Sequence, residues 1–329
     1  MTPLYAGVDV GGSSIRTVVA SADGTVLSSD RRPTPRRFGP DEVPVAIAAS
    51  VHATIASADC EAPDVVAVGI GVPGQVDQSA GTVGNAATLP DWPTSLPLAE
   101  IVSQHVARPV FIENDVRLAV AVERVDGVGL EFPSFLGVYL GTGVGAGVVL
   151  DGALWEGRGN AGEFGHTVVD FTPEARLCAC GRRGCLEAYA GRGGMEAAAR
   201  RAVEAGRGTM LFDVAEFRDV DRLTGDVWAN ALAARDPLTV DLVADAVAAL
   251  GAAIGSTVNL LDVDGVVLGG GLAADLGPDF LGSVAEATAE RILAGSPPPI
   301  RAAARGDLAG AVGAAALAQD RHAPEGEAV

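Results

Sequence analysis

Cysteine is scarce in this sequence, with four residues in a chain of 329. A chain of that length with so few thiols is not a disulfide scaffold, which staples a small core with closely spaced pairs. Basic side chains are also in short supply: 23 against 42 acidic ones, a formal net charge of -19. Such a surface repels polyanions, so neither nucleic acid nor an anionic membrane is expected as a partner. An anionic substrate would need a metal ion or backbone N–H groups to offset the local charge. No apolar run reaches ~18 residues without a charge or a turn signal, so no membrane span is expected. The opening MTPLYAGVDVGG has no basic leader and enters a glycine turn at once. No signal peptide is therefore expected, and the expected compartment is the cytoplasm.

What is present is small and apolar: 48% hydrophobic residues and 43 glycines. That composition indicates a compact α/β protein, and the length suits two domains better than one. Residues 4–10, LYAGVDV, read as a strand. GGSS follows, then IRTVVAS as a second strand, an Asp-Gly turn and TVLSSD as a third. RRPTPRR, 31–37, reads as a polar connection, and 43–58 carries apolar residues at helical spacing. VVAVGIGVP, 65–73, reads as a buried central strand. LPLAEIVSQHV reads as a helix, 108–115 as a strand, and VRLAVAVERV as the next helix.

The stretch 135–157 then repeats the opening design of strand, glycine turn, strand and Asp-Gly turn. The recurrence predicts two related lobes. The first spans 1–117 and is completed by a C-terminal helix at 308–320; the larger second spans 118–307. In the second lobe a loop-like segment, 158–187, precedes helical patterns at 189–205, 211–233 and 237–261. A strand at 263–271 and the helices FLGSVAEATAERIL and LAGAVGAAALAQD follow.

Three glycine turns end apolar strands: DVGGSS at 9–14, GTGVG at 141–145 and GGG at 269–271. Glycine lets backbone N–H groups approach a phosphate with no Cβ in the way, although glycines also end strands for steric reasons alone. The first two turns lead into strands, which separates them from strand–loop–helix nucleotide motifs. A hairpin-borne phosphate loop in each of two lobes is the layout of a two-lobed, ribonuclease-H-like α/β fold of the actin, hexokinase and Hsp70 type, with a cleft between lobes.

The strand FIEND ends in Glu113, Asn114 and Asp115. A carboxylate at such a strand end can orient a hydroxyl and take its proton during phosphoryl transfer, a role that suits Asp115. The competing reading is that Asn114 or Asp115 caps the following helix. Three of the four cysteines lie in CACGRRGC, 178–185, twelve residues after His166. One imidazole and three thiolates, His166, Cys178, Cys180 and Cys185, make a closed soft donor set suited to structural zinc. The C-x-C-x4-C spacing is not that of a thiol oxidoreductase. Glu163 and Glu187 flank the set, and a metal clamp would hold both near one place, as a polyol site requires. The fourth thiol, Cys60, stands alone and reads as an inert small residue.

GEFGH at 162–166, CACGRRGCLEAYAG at 178–191, ENDV at 113–116, LGTGVGAG at 140–147 and VVLGGGLA at 266–273 resemble, in order, the ROK family of sugar kinases and sugar-responsive repressors. The resemblance implies that Asp115 is the catalytic base for a sugar 6-hydroxyl. It implies sugar contacts from Asn114, Glu163, His166 and Glu187, with structural Zn²⁺ on His166, Cys178, Cys180 and Cys185. Asp9, Gly11, Gly12 and Ser13, with Gly141, Thr142 and Gly143, would surround the phosphates of ATP and its Mg²⁺. Gly269, Gly270 and Gly271 would lie against the nucleotide. A homodimer or homotetramer is also implied, although the alanine-rich helices near 240–256 could equally pack within one chain.

The chain departs from the family pattern in three places. DVGGSS stands for the usual DIGGTK, AATLPDW at 86–92 puts Thr88 where an Asn touches the sugar, and Arg117 follows ENDV in place of Asn. These leave the reaction type intact and the choice of sugar open, because one hydrogen bond at a sugar hydroxyl separates epimers. Glucose is the first expected acceptor; an N-acetylhexosamine, mannose or fructose is the alternative. Polyphosphate as donor also stays open. With the first phosphate loop at residue 9, the winged helix of the family's repressors is not expected before it. The reading from a different class is a non-catalytic sugar-binding regulator.

Overall fold

The structure, a computed structural model, describes residues 3–12, 14–35, 39–58, 64–84, 86, 89, 91–157, 161–293, 295–304 and 308–322. The chain divides into two compact units. Unit 1 holds Met1–Gly127, Glu156–Ala161 and Arg305–Val329; unit 2 holds Val128–Trp155 and Gly162–Ala304.

Unit 1 is built on a five-stranded sheet in the order β3-β2-β1-β4-β7. Its strands are β1 (Leu4–Val10), β2 (Ser14–Ser21), β3 (Val26–Pro33), β4 (Val65–Val72) and β7 (Val110–Asn114). The first three form antiparallel pairs; β4 runs parallel to both β1 and β7. A small hairpin, β5 (Gln75–Asp77) and β6 (Thr82–Gly84), follows β4. The helices are α1 (Gly39–Ser57), α2 (Leu98–Val106), α3 (Asp115–Asp126) and α10 (Ala309–His322). Strands β1 and β4 are buried along nearly their whole length, which is why they read as continuous apolar runs. Val8, Val10, Ile70 and Ile112 pack with Val43, Ile47 and Val51 of α1 on one side of the sheet. On the other side Tyr5, Val18 and Ala67 meet Ala311, Ala315 and Ala318 of α10. The helix lies so close that a Cβ on Gly7 would stand 1.9 Å from the Ala311 carbonyl oxygen, and one on Gly69 would stand 1.8 Å from that of Ala314.

Unit 2 repeats this design in the order β10-β9-β8-β11-β12. Its strands are β8 (Phe135–Leu140), β9 (Val144–Leu150), β10 (Ala153–Leu154), β11 (Gly265–Gly269) and β12 (Ile300–Ala302). Again the first three pair antiparallel and the last two join in parallel. The helices are α4 (Glu187–Ala190), α5 (Arg192–Glu204), α6 (Leu211–Phe217), α7 (Gly225–Ala233), α8 (Pro237–Leu261) and α9 (Gly271–Ala289). Helix α8 begins where Asp236 accepts from Thr239 N at 2.9 Å, with Pro237 in the first turn. It is long and apolar enough to cross a membrane, but Leu238, Leu242, Leu250 and Ile254 are spent in the core of this unit. Helix α9 kinks at Gly277, whose φ is 77° ahead of Pro278.

The recurrence expected between 4–24 and 135–152 is present as two sheets of the same strand order. Three local expectations differ. The sequence division at 117 and the contact division after Gly127 are separated by most of α3, because that helix packs on α10; a Cβ on Gly313 would meet the Leu118 carbonyl oxygen at 2.7 Å. The helical pattern at 211–233 is two helices, interrupted by the polar segment 218–224. The connection expected from residue 31 begins later, because β3 continues to Pro33 as an edge strand, where proline's missing N–H is tolerated.

Candidate active site

In unit 1 the glycine turn follows β1. Strand register sets Asp9 opposite Arg16, and the two form an ion pair at 3.4 Å. Gly11 N donates to Ser14 O at 2.9 Å, and the Thr34 hydroxyl donates to Gly11 O at 2.6 Å. Gly12 is exposed at the bend. Ser13 and Thr88 lie outside the described residues, as does Cys60.

The polar end of β7 splits into three separate duties. Glu113 turns into the interior, where loss of hydration raises its carboxyl above the usual range despite Arg117 at 3.3 Å. It accepts from Asn114 N at 2.6 Å and from Gln78 Nε2. Arg117, the residue that departs from the family pattern, is thus the buried counter-charge of Glu113. Arg117 lines a cavity of ≈ 500 Å³ together with Gln75, Gln78, Thr82 and Glu156. Asn114 is the N-cap of α3: its Oδ1 accepts from Val116 N at 3.0 Å and Arg117 N at 3.2 Å, and its Nδ2 donates to Gly74 O at 3.2 Å. The capping duty considered for either residue therefore rests with Asn114.

Asp115 follows as the first residue of α3, and its Oδ1 accepts from Val116 N at 2.9 Å. It keeps part of its surface in water, yet protein crowds it enough that loss of hydration pushes its carboxyl up to about 7. The negative charge of Asp9 adds to that rise, and the Val116 N–H opposes it. A carboxylate near half-ionised at neutral pH is matched to accepting a proton.

In unit 2 the second glycine turn joins β8 to β9. All three of its carbonyls are engaged: Gly141 O by Arg192 N at 3.1 Å, Thr142 O by Gly193 N at 2.9 Å and Gly143 O by Gly141 N at 3.0 Å. The N–H groups of Thr142 and Gly143 make no hydrogen bond among the described residues. Donors turned outward from such a turn form an anion nest. Gly269 ends β11, Gly270 has φ 90°, and Gly271 opens α9. A Cβ on Gly270 would stand 2.3 Å from the Leu140 carbonyl oxygen, so this turn sits against the end of β8, beside the nest.

Glu187 connects the nest to the cysteine segment. Its Oε2 accepts from Val144 N at 3.2 Å, and its Oε1 lies 3.6 Å from Cys178 Sγ. The fit is close enough that a Cβ on Gly143 would stand 2.2 Å from that Oε2. His166, Cys178, Cys180 and Cys185 bring one ligand atom each within 4.8 Å of one another, and no disulfide links the three thiols. Cys178 Sγ is 3.8 Å from His166 Nδ1, and Cys180 Sγ is 3.7 Å from Cys185 Sγ. A tetrahedron of ligands about 2.3 Å from a central ion has edges of about 3.8 Å, so the donors stand at the spacing of a four-coordinate thiolate centre. Loss of hydration opposes ionisation at Cys180, but hydrogen bonds from the Arg182 backbone and side chain and from Cys178 and Cys185 together outweigh it and bring that thiol down to about 6. The imidazole serves both sides: Nδ1 faces the thiols, and Nε2 lies 3.8 Å from Glu163 Oε2.

Neither the pairing of Glu113 with Arg117 nor that of Arg192 with the nest is marked by a motif in the sequence. Arg192 donates from Nη2 to Thr142 Oγ1 at 3.0 Å across a sequence separation of 50. No periodicity or motif couples positions that far apart.

The family profile described as the ROK family matches residues 5–321. A glucokinase from Streptomyces coelicolor is 33% identical over 323 residues, covering 96% of this chain and 98% of that protein. An N-acetylgalactosamine kinase from a Shewanella species is 32% identical over 326 residues, covering 95% of this chain and 96% of that one. Among solved structures, a ROK family glucokinase from Streptomyces griseus in complex with glucose and AMPPNP aligns with a TM-score of 0.80 and 32% identity, over 96% of this chain and 99% of that one. The chain belongs to the ROK family.

Proposed function

We propose that the ATP-dependent sugar phosphorylation supported by the family relationship acts here on the 6-hydroxyl of a hexose, with glucose as the first acceptor. The observation that carries the proposal is Asp115: a crowded carboxylate at the start of α3, directly after β7, raised to about 7, on the residue where the sequence pattern calls for a base. Asp115 accepts the hydroxyl proton as the oxygen attacks the γ-phosphorus, and the bond from that phosphorus to the bridging oxygen of ADP breaks in line. The unpaired N–H groups of Thr142 and Gly143, with the turn at Gly11 and Gly12, take up charge on the phosphates. Gly270, fixed against β8, borders the nucleotide.

Glu163, His166 and Glu187 hold the sugar hydroxyls. Asn114 acts by fixing the start of α3, and so the position of Asp115, as its amide is engaged by Val116, Arg117 and Gly74. Asp9 supplies a hard oxygen donor suited to Mg²⁺, which when bound would neutralise charge on the phosphate chain. His166, Cys178, Cys180 and Cys185 would hold Zn²⁺ in a closed structural site, which pins Glu163 and Glu187 and takes no part in the chemistry.

A second acceptor class, the N-acetylhexosamines, is favoured by the 32% identity to an N-acetylgalactosamine kinase, nearly equal to that of the glucokinase. Product analysis separates the two. Incubation with ATP and each of glucose, mannose, fructose, N-acetylglucosamine, N-acetylgalactosamine and N-acetylmannosamine, followed by phosphorus NMR, should yield a 6-phosphate with kcat/KM highest for glucose. Highest kcat/KM for an acetamido sugar would replace the acceptor. No phosphorylated sugar in any tube would leave the non-catalytic regulator.

A further inference from the structure

Phosphate-binding sites often use a lysine, and this chain has none: all 23 of its basic residues are arginine. A permanently charged side-chain cation at the backbone nest of 141–143 must therefore be arginine. Among the described residues, Arg192 is brought there by the fold. It opens α5, its backbone N–H is bound to Gly141 O, and its guanidinium donates to Thr142 Oγ1 at 3.0 Å.

The surroundings of Arg192 differ from those of an ordinary surface arginine. It is half-buried and has no carboxylate within ion-pair distance among the described residues. Loss of hydration and the neighbouring Arg222 disfavour its charge, while Glu196 and Asp275 support it only from longer range. Among the described residues a Cβ on Gly141 would meet nothing within 4 Å, so no described residue fills the space beside the turn. With Thr142 Oγ1 accepting from the guanidinium, the hydroxyl proton is free to be donated elsewhere. The result is a guanidinium, a hydroxyl and two unpaired N–H groups, all donors, around one turn.

We propose that Arg192 contacts the terminal phosphates of the nucleotide, acting with Thr142 and the N–H groups of Thr142 and Gly143 as the cationic part of the phosphate site. The inference rests on the reading of this turn as the ATP site, and it goes beyond that reading by assigning the charge to a residue outside the glycine motif. Charge-assisted hydrogen bonds to phosphate are about twice as strong as neutral ones, so loss of this guanidinium should weaken ATP binding at least about tenfold.

The test is calorimetric titration of the full chain with Mg²⁺-ATP and with adenosine, for wild type, Arg192→Gln, Arg192→Ala and Arg192→Lys. Glutamine keeps a polar donor on a shorter stem but loses the charge, and lysine keeps a charge. ATP affinity should fall at least about tenfold in the Gln and Ala variants and recover in part with Lys, with adenosine affinity unchanged. In turnover, KM for ATP should rise while KM for the sugar holds. Wild-type ATP affinity in Arg192→Gln would overturn the proposal and leave Arg192 as a strap on the turn. Equal losses for ATP and adenosine would overturn it in favour of a distorted site. Absence of ATP binding by the wild type would overturn the ATP reading and this inference together, whereas binding retained in every variant would overturn this inference alone.

Discussion

Replacing Asp115 with Asn should stabilise the protein at alkaline pH. The native carboxyl is raised from 3.8 to about 7, mainly because its charge has lost hydration and secondly because Asp9 repels it. Moving a pKa that far corresponds to about 4 kcal/mol of disfavour for the ionised form. Water still reaches part of the side chain and screens it, so about 1–3 kcal/mol is the expected gain on removing the charge. The native pKa is the higher one, so folding is most favoured with the proton on. The penalty is absent below pH ~4, grows between ~4 and ~7, and is complete above ~7. Asparagine keeps the acceptor for Val116 N, so the comparison isolates the charge. Urea unfolding of ligand-free wild type and Asp115→Asn at pH 5.5 and 8.5 reads this directly. The variant should be the more stable, by a margin larger at pH 8.5. Equal margins at the two pH values, or a destabilised variant at both, would refute the reasoning and make Asp115 a supporting residue at the start of the helix.

The same ionisation should govern turnover: kcat/KM for the acceptor should rise about tenfold per pH unit below ~7 and level off above it, and a flat profile from pH 5.5 to 8.5 would remove Asp115 as the base. Metal analysis of protein purified without chelators should find about one zinc per chain, and Cys185→Ser should lose the metal and unfold at lower temperature. Full thermal stability in metal-free Cys185→Ser would show that the four donors serve no clamp. Gly69→Ala forces a Cβ to within 1.8 Å of the Ala314 carbonyl oxygen, so urea unfolding should show a loss of about 1–3 kcal/mol as α10 is pushed off β4. Wild-type stability would mean that α10 does not lie there.

The repeated strand–turn–strand design was legible because its signal is local. Apolar strands, glycines and an Asp-Gly turn follow one another in both halves, and each half folds into a sheet of the same order. The cysteine cluster was legible for a related reason, since a donor set fixes its own spacing. Side-chain duties at the end of β7 were less so. Strand alternation turns Glu113 inward and helix entry engages Asn114, and both depend on where the strand stops within one residue. Arg117 read as an anomaly because its partner lies on the preceding strand end. Position 192 carried no signal at all: what gives it meaning is that α5 begins at the turn after β8. The interruption of 211–233 was hidden because apolar residues on α6 and α7 keep a helical rhythm across a polar gap.

The central claim, that this chain is a hexose kinase with Asp115 as its base, is tested most directly by sugar-dependent ADP release. Wild type, Asp115→Asn and Asp115→Ala are compared at saturating Mg²⁺-ATP across the sugar panel, with nucleotide affinity checked in each. Wild type should release ADP in step with hexose 6-phosphate. Both variants should bind ATP as wild type does and lose at least about a hundredfold in kcat. Full turnover in either variant, or wild-type protein that releases no ADP with any sugar, would contradict it.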